Sequence, residues 1–219
     1  GGQIIFPGGY LKEVYRIIRE NGGLCIADEV QTAYGRMGTS FYAFEDQDVT
    51  PDIVVLGKPI GNGHPLAAVI CRRDIAEAFN TGMEFFSTFG GNTVAVAVGR
   101  KMLEIVLRDN YMEHARETGS YLLEQLKTLK DKYPVVGDVR GSGLFLGMEL
   151  VTDLLKLEPA GMEAAYIIER LKEMKILAGT DGPYNNVLKI RPPMVFDRYN
   201  ADILVERLSA ILENLPFGS

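Results

Sequence analysis

Two short apolar runs constrain this chain more than any other feature. Leu24-Cys25-Ile26-Ala27 ends on the paired acids Asp28-Glu29, and Ile53-Val54-Val55-Leu56 ends on Gly57-Lys58. Runs of this length, bounded by glycine and polar residues, predict buried parallel strands. In an open α/β sheet the C-terminal ends of such strands form the crevice where ligands sit. The pattern therefore sets a carboxylate, Asp28, and an amine, Lys58, at equivalent ends of two strands. The residues between them suffice for a loop and the return to a neighbouring strand.

A lysine held partly desolvated loses proton affinity and becomes a nucleophile or a general base. An aspartate beside it keeps a bound heterocyclic nitrogen protonated. Pyridoxal phosphate chemistry uses both groups. Strand-end acids and lysines also occur as a solvated rim or an ion pair, so the pairing by itself leaves the choice open.

Further stretches narrow it. Ile26-Ala27-Asp28-Glu29-Val30-Gln31, Gly35-Arg36-Met37-Gly38, Pro51-Asp52-Ile53-Val54, Gly57-Lys58-Pro59-Ile60-Gly61-Asn62-Gly63 and Ser87-Thr88-Phe89-Gly90-Gly91-Asn92 follow one another in order. Together they resemble the class III aminotransferases, which are fold type I enzymes dependent on pyridoxal 5'-phosphate (PLP). The likeness continues to the C-terminus. It implies part of a PLP-binding large domain with a mostly parallel sheet over residues 1–108, and a small C-terminal α+β domain over 109–219. It also implies that Asp28 pairs with the pyridinium nitrogen, Val30 packs on the ring, Gln31 contacts the ring hydroxyl and Lys58 forms the Schiff base. Thr88 is then expected to reach a cofactor phosphate bound mainly by the other subunit of a homodimer. The implied substrate is a small primary amine. Members of that family carry a large segment ahead of this region, which supplies most of the phosphate cradle and the stacking aromatic. The chain is accordingly expected to be a C-terminal half, inactive by itself.

One departure bears on the reaction. The family usually places an arginine on the strand before a Pro-Pro pair, gripping the substrate carboxylate in a bidentate fork. Aligned through Pro192-Pro193, that position is Lys189, with Arg191 two residues on. Period-two alternation puts both cations on one strand face. Lysine is a point charge, better suited to phosphate than to a planar carboxylate. Gly57 to Pro65, Asp181-Gly182-Pro183 and Asn186-Val187-Leu188-Lys189 are similar to the phospho-lyase branch, which eliminates phosphate from phosphoethanolamine or phosphohydroxylysine, and to class III modules of large fused bacterial chains. Lys189 and Arg191 are thus candidate substrate-binding residues, with an ordinary solvated strand face as the alternative.

Other chemistries fail on spacing. A Walker loop needs Ser or Thr after its lysine and glycine six residues before it, whereas Lys58 is followed by Pro59 and position 52 is aspartate. Gly61-x-Gly63 and Gly141-Ser142-Gly143 both lack the third glycine of a dinucleotide fingerprint. With only His64 and His114, no metal-ligand spacing exists, so no metal is expected. A net charge of −6 argues against a nucleic-acid binder. No run approaches membrane-span length and no signal pattern opens the chain, so no membrane partner and a cytoplasmic location are expected. Cys25 and Cys71, both in predicted strands, read as reduced core thiols.

Periodicity predicts a helix over 10–20 with Tyr10, Val14, Ile17 and Ile18 on one face, stopped by Asn21-Gly22-Gly23. The aromatics of the 32–50 loop either wall a pocket or pack on the sheet. A strand is predicted over 67–71, a short helix over 74–79, and a helix over 93–108 with Asn92 as its N-cap. Beyond residue 109 the pattern predicts helices over 111–132, 162–175 and 201–214. Strands are expected over 135–140 and 144–151, and near 176 and 187.

Overall fold

The computed structural model describes residues 1–216. They form two compact units. One runs from Phe6 to Met112; the other joins Gly1–Ile5 to the residues from Glu113 onward. The division falls in the first turn of a helix, and it places the opening five residues with the C-terminal unit.

In the 6–112 unit, helix α1 (Tyr10–Glu20) leads into strand β1 (Ile26–Asp28), followed by β2 (Ile53–Leu56), β3 (Ala68–Cys71), α2 (Arg73–Phe79) and α3 (Thr93–Arg108). The sheet order is β1-β2-β3. β1 and β2 are parallel with Asp28 opposite Val55, and β2 and β3 are antiparallel. The core is Ala33, Val54, Leu56 and Ile60, with Tyr34, Tyr42, Phe44 and Leu66 packed against it. The loop aromatics are thus packing residues: Tyr42 and Phe44 stack with ring centroids 5.3 Å apart.

The expected burial of the strands holds for β2 and fails for β1, where Ile26 is 59% exposed. β1 is an edge, with no second neighbour among the described residues, so only one side of it is covered. Helix α1 buries Tyr15, while Tyr10, Ile17 and Ile18 of its expected apolar face remain exposed. Cys25 is buried just ahead of β1, where desolvation raises its thiol pKa, and Cys71 closes β3; neither is in a disulfide.

The C-terminal unit contains α4 (Tyr111–Lys132), β4 (Val136–Ser142), β5 (Phe145–Asp153), β6 (Glu158–Pro159), α5 (Gly161–Glu173), β7 (Gly179–Asp181), β8 (Val187–Ile190) and α6 (Arg198–Glu213). Its antiparallel sheet has the order β4-β5-β8-β7, with β6 paired to β5. Leu146, Met148 and Leu150 alternate along β5 and are fully buried, meeting Leu122, Leu126 and Leu129 of α4 and Leu204 and Leu208 of α6 in one core. The opposite face of β5 is covered by the opening residues. The Cβ of Gln3 lies 3.0 Å from where a Cβ on Gly147 would stand, and Arg140 donates to the Gly2 carbonyl at 2.7 and 3.0 Å.

Candidate functional site

Alternation along β1 divides the two acids. Glu29 is buried under the following loop and accepts from the Thr32 hydroxyl at 2.6 Å and the Ala43 and Phe44 amides at 3.1 and 3.0 Å. It anchors the loop. Asp28 points the other way and is exposed, with Oδ1 accepting the Val30 amide at 3.1 Å. Its second oxygen has no hydrogen-bond partner among the described residues. Val30 sits over the end of β2, its methyls 3.7 Å from where a Cβ on Gly57 would be.

Lys58 begins a 3-10 turn (Lys58–Gly61) directly after Gly57, in the left-handed region at φ 46°. A non-glycine residue there is strained, and such strain persists where the surroundings impose it. Here the turn is pinned from beneath. Ile60 and Gly61 are buried, and α3 packs on the turn at Gly99, where a Cβ would lie 2.4 Å from Leu66 Cδ2 and 3.7 Å from the Ile60 carbonyl. Asn92 caps α3, accepting from the Ala95 amide at 3.0 Å. The expected desolvation of Lys58 is not supplied by this chain: its side chain is exposed and makes no hydrogen bond or ion pair among the described residues.

Asp28 and Lys58 therefore stand at the C-terminal ends of two hydrogen-bonded parallel strands, a carboxylate oxygen and an amine both unengaged, with Val30 beside the second strand end. That donor set fits the cofactor implied by the sequence resemblance: an acceptor for a protonated ring nitrogen, an apolar surface for a ring, and an amine for an aldehyde. Gln31 is half-buried in the turn after β1, and Thr88 is exposed in the loop ahead of α3.

Asp52 is a structural residue that the sequence pattern does not single out. It is buried, and it accepts from the Cys25 amide at 2.8 Å, from Arg19 at 3.2 and 3.4 Å, and from Arg72. The Cys25 amide first, then the two guanidiniums, hold its carboxyl below the usual range against the opposing effect of burial. One carboxylate thus fastens α1, the start of β1 and the end of β3. Neither arginine is near Asp52 in sequence, so no local pattern reveals it.

The two candidate substrate cations lie in the C-terminal unit. Lys189 is on β8 opposite Gly147 and Gly179, on the face covered by Gln3. Its Nζ is 2.9 Å from Asp181 Oδ2 on β7, and the two side chains are 25% and 24% exposed. Gln3 Nε2 reaches the same oxygen at 3.5 Å. Arg191 lies one residue beyond β8, so the alternation expected to align it with Lys189 ends before it.

The sequence profile described as Aminotransferase class-III matches residues 1–212. A Drosophila melanogaster protein named alanine–glyoxylate aminotransferase 2-like is 44% identical, with the match covering 97% of this chain and 44% of that protein. The human mitochondrial alanine–glyoxylate aminotransferase 2 is 41% identical over 94% of this chain and 40% of its own length. The chain thus spans less than half the length of these relatives. Among solved structures, a phospholyase from Arthrobacter in complex with phosphoethanolamine superposes with a TM-score of 0.93 at 38% identity, covering 98% of this chain and 51% of that one.

Proposed function

The chain belongs to the class III aminotransferase family, with the fold of its type I enzymes, and on that premise we propose that it carries the lysine and ring-nitrogen acid of a PLP-dependent enzyme acting on a small primary amine. The observation that carries this reading is the pair of unengaged groups, Asp28 and Lys58, at adjacent parallel strand ends. PLP is the family's cofactor, and when bound it supplies an aldehyde that condenses with amines and a ring that takes up electron density from the substrate carbon.

The chain's own residues would then divide the work. Asp28 would hold the ring-nitrogen proton in place. Val30 would pack on the ring and Gln31 would contact its hydroxyl. Thr88 would reach the phosphate across a homodimer. Lys58, freed as an amine, would take the proton from the substrate carbon next to nitrogen and return it elsewhere, as a general base and acid. Asp28, Lys58 and Thr88 are all exposed on this chain, which supports weak cofactor retention and no turnover from the 219 residues alone. Among the described residues no helix is long and apolar enough to cross a membrane. We place the protein in the cytoplasm, with a mitochondrial site, as in the human relative's name, as the competing location.

A second reading has its own support. Lys189 stands where the family's carboxylate-binding arginine is expected, and one structural neighbour is a phospholyase holding phosphoethanolamine. In that reaction Lys58 takes the same proton, and the bond between the next carbon and the phosphate oxygen breaks to release inorganic phosphate. The deciding experiment uses a complete protein containing this chain. Transamination stalls after one half-reaction unless a keto acid is present. Phosphate released from a phosphoamine over many turnovers, with no keto acid added, establishes elimination. Turnover that depends strictly on a keto acid, with no phosphate released, establishes transamination. Absence of both on a panel of primary amines and phosphoamines overturns the enzyme reading.

A further inference from the structure

A groove of about 840 Å³ opens on the C-terminal unit between the β5–β6 hairpin, the first turn of α5 and the loop after β7. Its walls are largely apolar: Leu157, Pro159, Met162 and Tyr184, the last two exposed to 73% and 65%. At its base stands one carboxylate. Glu163 lines the groove and is only 7% exposed, yet it makes no hydrogen bond or ion pair among the described residues. A buried charge is costly unless paired, and buried carboxylates ordinarily have a donor. Glu29 and Asp52 in this same chain follow that rule with three or more donors each. Glu163 breaks it.

Its place in the first turn of α5 explains part of its tolerance, because the positive end of the helix favours a negative side chain. That field supplies no directed donor, and so does not explain why the carboxylate is walled by apolar groups. The groove is also preformed. Asp153 Oδ1 accepts the Leu155 and Lys156 amides at 2.8 and 3.0 Å and stiffens the hairpin. Asn186 ties the opposite loop to β5 through Leu150, donating at 2.9 Å from its side chain. Gly161 lets that loop close on the helix: a Cβ there would stand 2.7 Å from the Tyr184 carbonyl oxygen.

A site of this size, apolar-walled with one convergent charge, is of the kind that takes small molecules. The charge selects a cation. The remaining wall is hydrocarbon, which favours a cation that carries an apolar body. We propose that this groove binds a small organic ammonium ion with a hydrophobic body, its N–H donating to Glu163 and its hydrocarbon lying against Leu157, Met162 and Tyr184.

The test titrates the 219-residue chain with N,N-dimethylbenzylammonium chloride, followed by amide chemical shifts. A tertiary ammonium keeps one N–H and cannot condense with an aldehyde, so the readout is independent of the PLP reading. The expected result is saturable binding, with shifts at 157–163 and 184–185. Glu163→Gln should weaken it roughly tenfold or more, the loss of one charge-assisted contact. Benzyl alcohol, which keeps the ring without the charge, should bind the wild-type chain at least as weakly, and this arm stands if Glu163→Gln fails to fold. Absence of saturable binding, shifts confined to other surfaces, or equal affinity for the alcohol and the ammonium would overturn the proposal.

Discussion

Lys189 Nζ lies 2.9 Å from Asp181 Oδ2, across the antiparallel pair β7–β8 and on the face covered by Gln3. Gly147 and Gly179, the two residues opposite Lys189, carry no side chains, so the lysine turns to the carboxylate diagonal to it. That partner, then the Gly182 amide, pulls the Asp181 carboxyl far below the usual range. A carboxylate whose folded pKa is depressed contributes stability that is complete above its unfolded value, near pH 4. It is lost as pH falls through the folded value. Asp181→Asn should therefore cost about 1.5–3 kcal/mol at pH 7 and flatten the acid limb of the stability profile below about pH 4. Urea unfolding at several pH values reads both effects, and an unchanged acid limb would show the pair to be idle.

The same lysine is the candidate ligand for a substrate anion. If Lys189 grips a substrate anion in the complete enzyme, Lys189→Ala should lower kcat/KM for a phosphoamine roughly ten- to a hundredfold, the worth of one charged hydrogen bond. Asp181→Asn, which releases the ammonium from its partner, should tighten inhibition by inorganic phosphate. Loss of activity in Lys189→Ala without any change in phosphate inhibition in Asp181→Asn would assign the lysine to the sheet alone.

Lys58→Ala gives the plainest result. In a complete protein containing this chain, the visible absorption of a lysine-bound pyridoxal group should vanish, and turnover should fall by several orders of magnitude. Because Lys58 is exposed and pairs with nothing among the described residues, thermal stability of the protein without cofactor should stay within about 0.5 kcal/mol of wild type. A retained absorption band would remove Lys58 from the reaction.

Local chemistry was what the sequence made legible. Asn92 is an N-cap because a side-chain acceptor there meets the Ala95 amide, and the periodicity of Leu122, Leu126 and Leu129 puts them in the core wherever the helix docks. The strand ends at Asp28 and Leu56 were also readable, as runs with boundaries. Contacts that depend on distant register were not. The Lys189–Asp181 pair requires the turn between β7 and β8, and Asp52 meets one guanidinium from α1 and one from the residue that follows β3. β1 is less buried than its apolar run predicts, because such a run reports what a strand is suited to, not how many neighbours it has.

Asp52 should be the acid-sensitive point of the 6–112 unit. Asp52→Ala strips the partner from the buried Cys25 amide, costing about 1–3 kcal/mol, whereas Arg19 and Arg72 are half exposed and regain water. Asp52→Asn keeps an acceptor for that amide and should cost less. Since the Asp52 carboxyl is depressed in the folded chain, wild type should lose this contribution as pH falls below about 4, and the asparagine variant should not. Hydrogen exchange at residues of β1 and β2 follows it. Equal costs for both variants would mean that the charge, not the amide contact, carries the stabilisation.

Gly119 in α4 sets two effects against each other. Glycine in a helix interior costs about 1 kcal/mol relative to alanine, so Gly119→Ala gains that much locally. A Cβ at this position, however, would stand 2.0 Å from the Gly143 carbonyl oxygen and 2.2 Å from its carbon, in the β4–β5 turn. Both are backbone atoms, and Gly143 itself has φ 53°, so neither element yields by rotating a side chain. Overpacking relieved by backbone shifts typically costs about 1–3 kcal/mol, and a clash this deep belongs at the upper end. The clash should win, leaving Gly119→Ala destabilised by about 2 kcal/mol after the helix gain is subtracted. Gly99→Ala in α3 is the control. Its new Cβ meets Leu66 Cδ2, the free end of a flexible side chain, and the nearest backbone oxygen is 3.7 Å away. Leu66 can turn aside, so this variant should lie close to wild type in denaturant unfolding. A Gly119→Ala variant as stable as Gly99→Ala would mean that α4 stands further from the β4–β5 turn than the close approach at Gly143 implies.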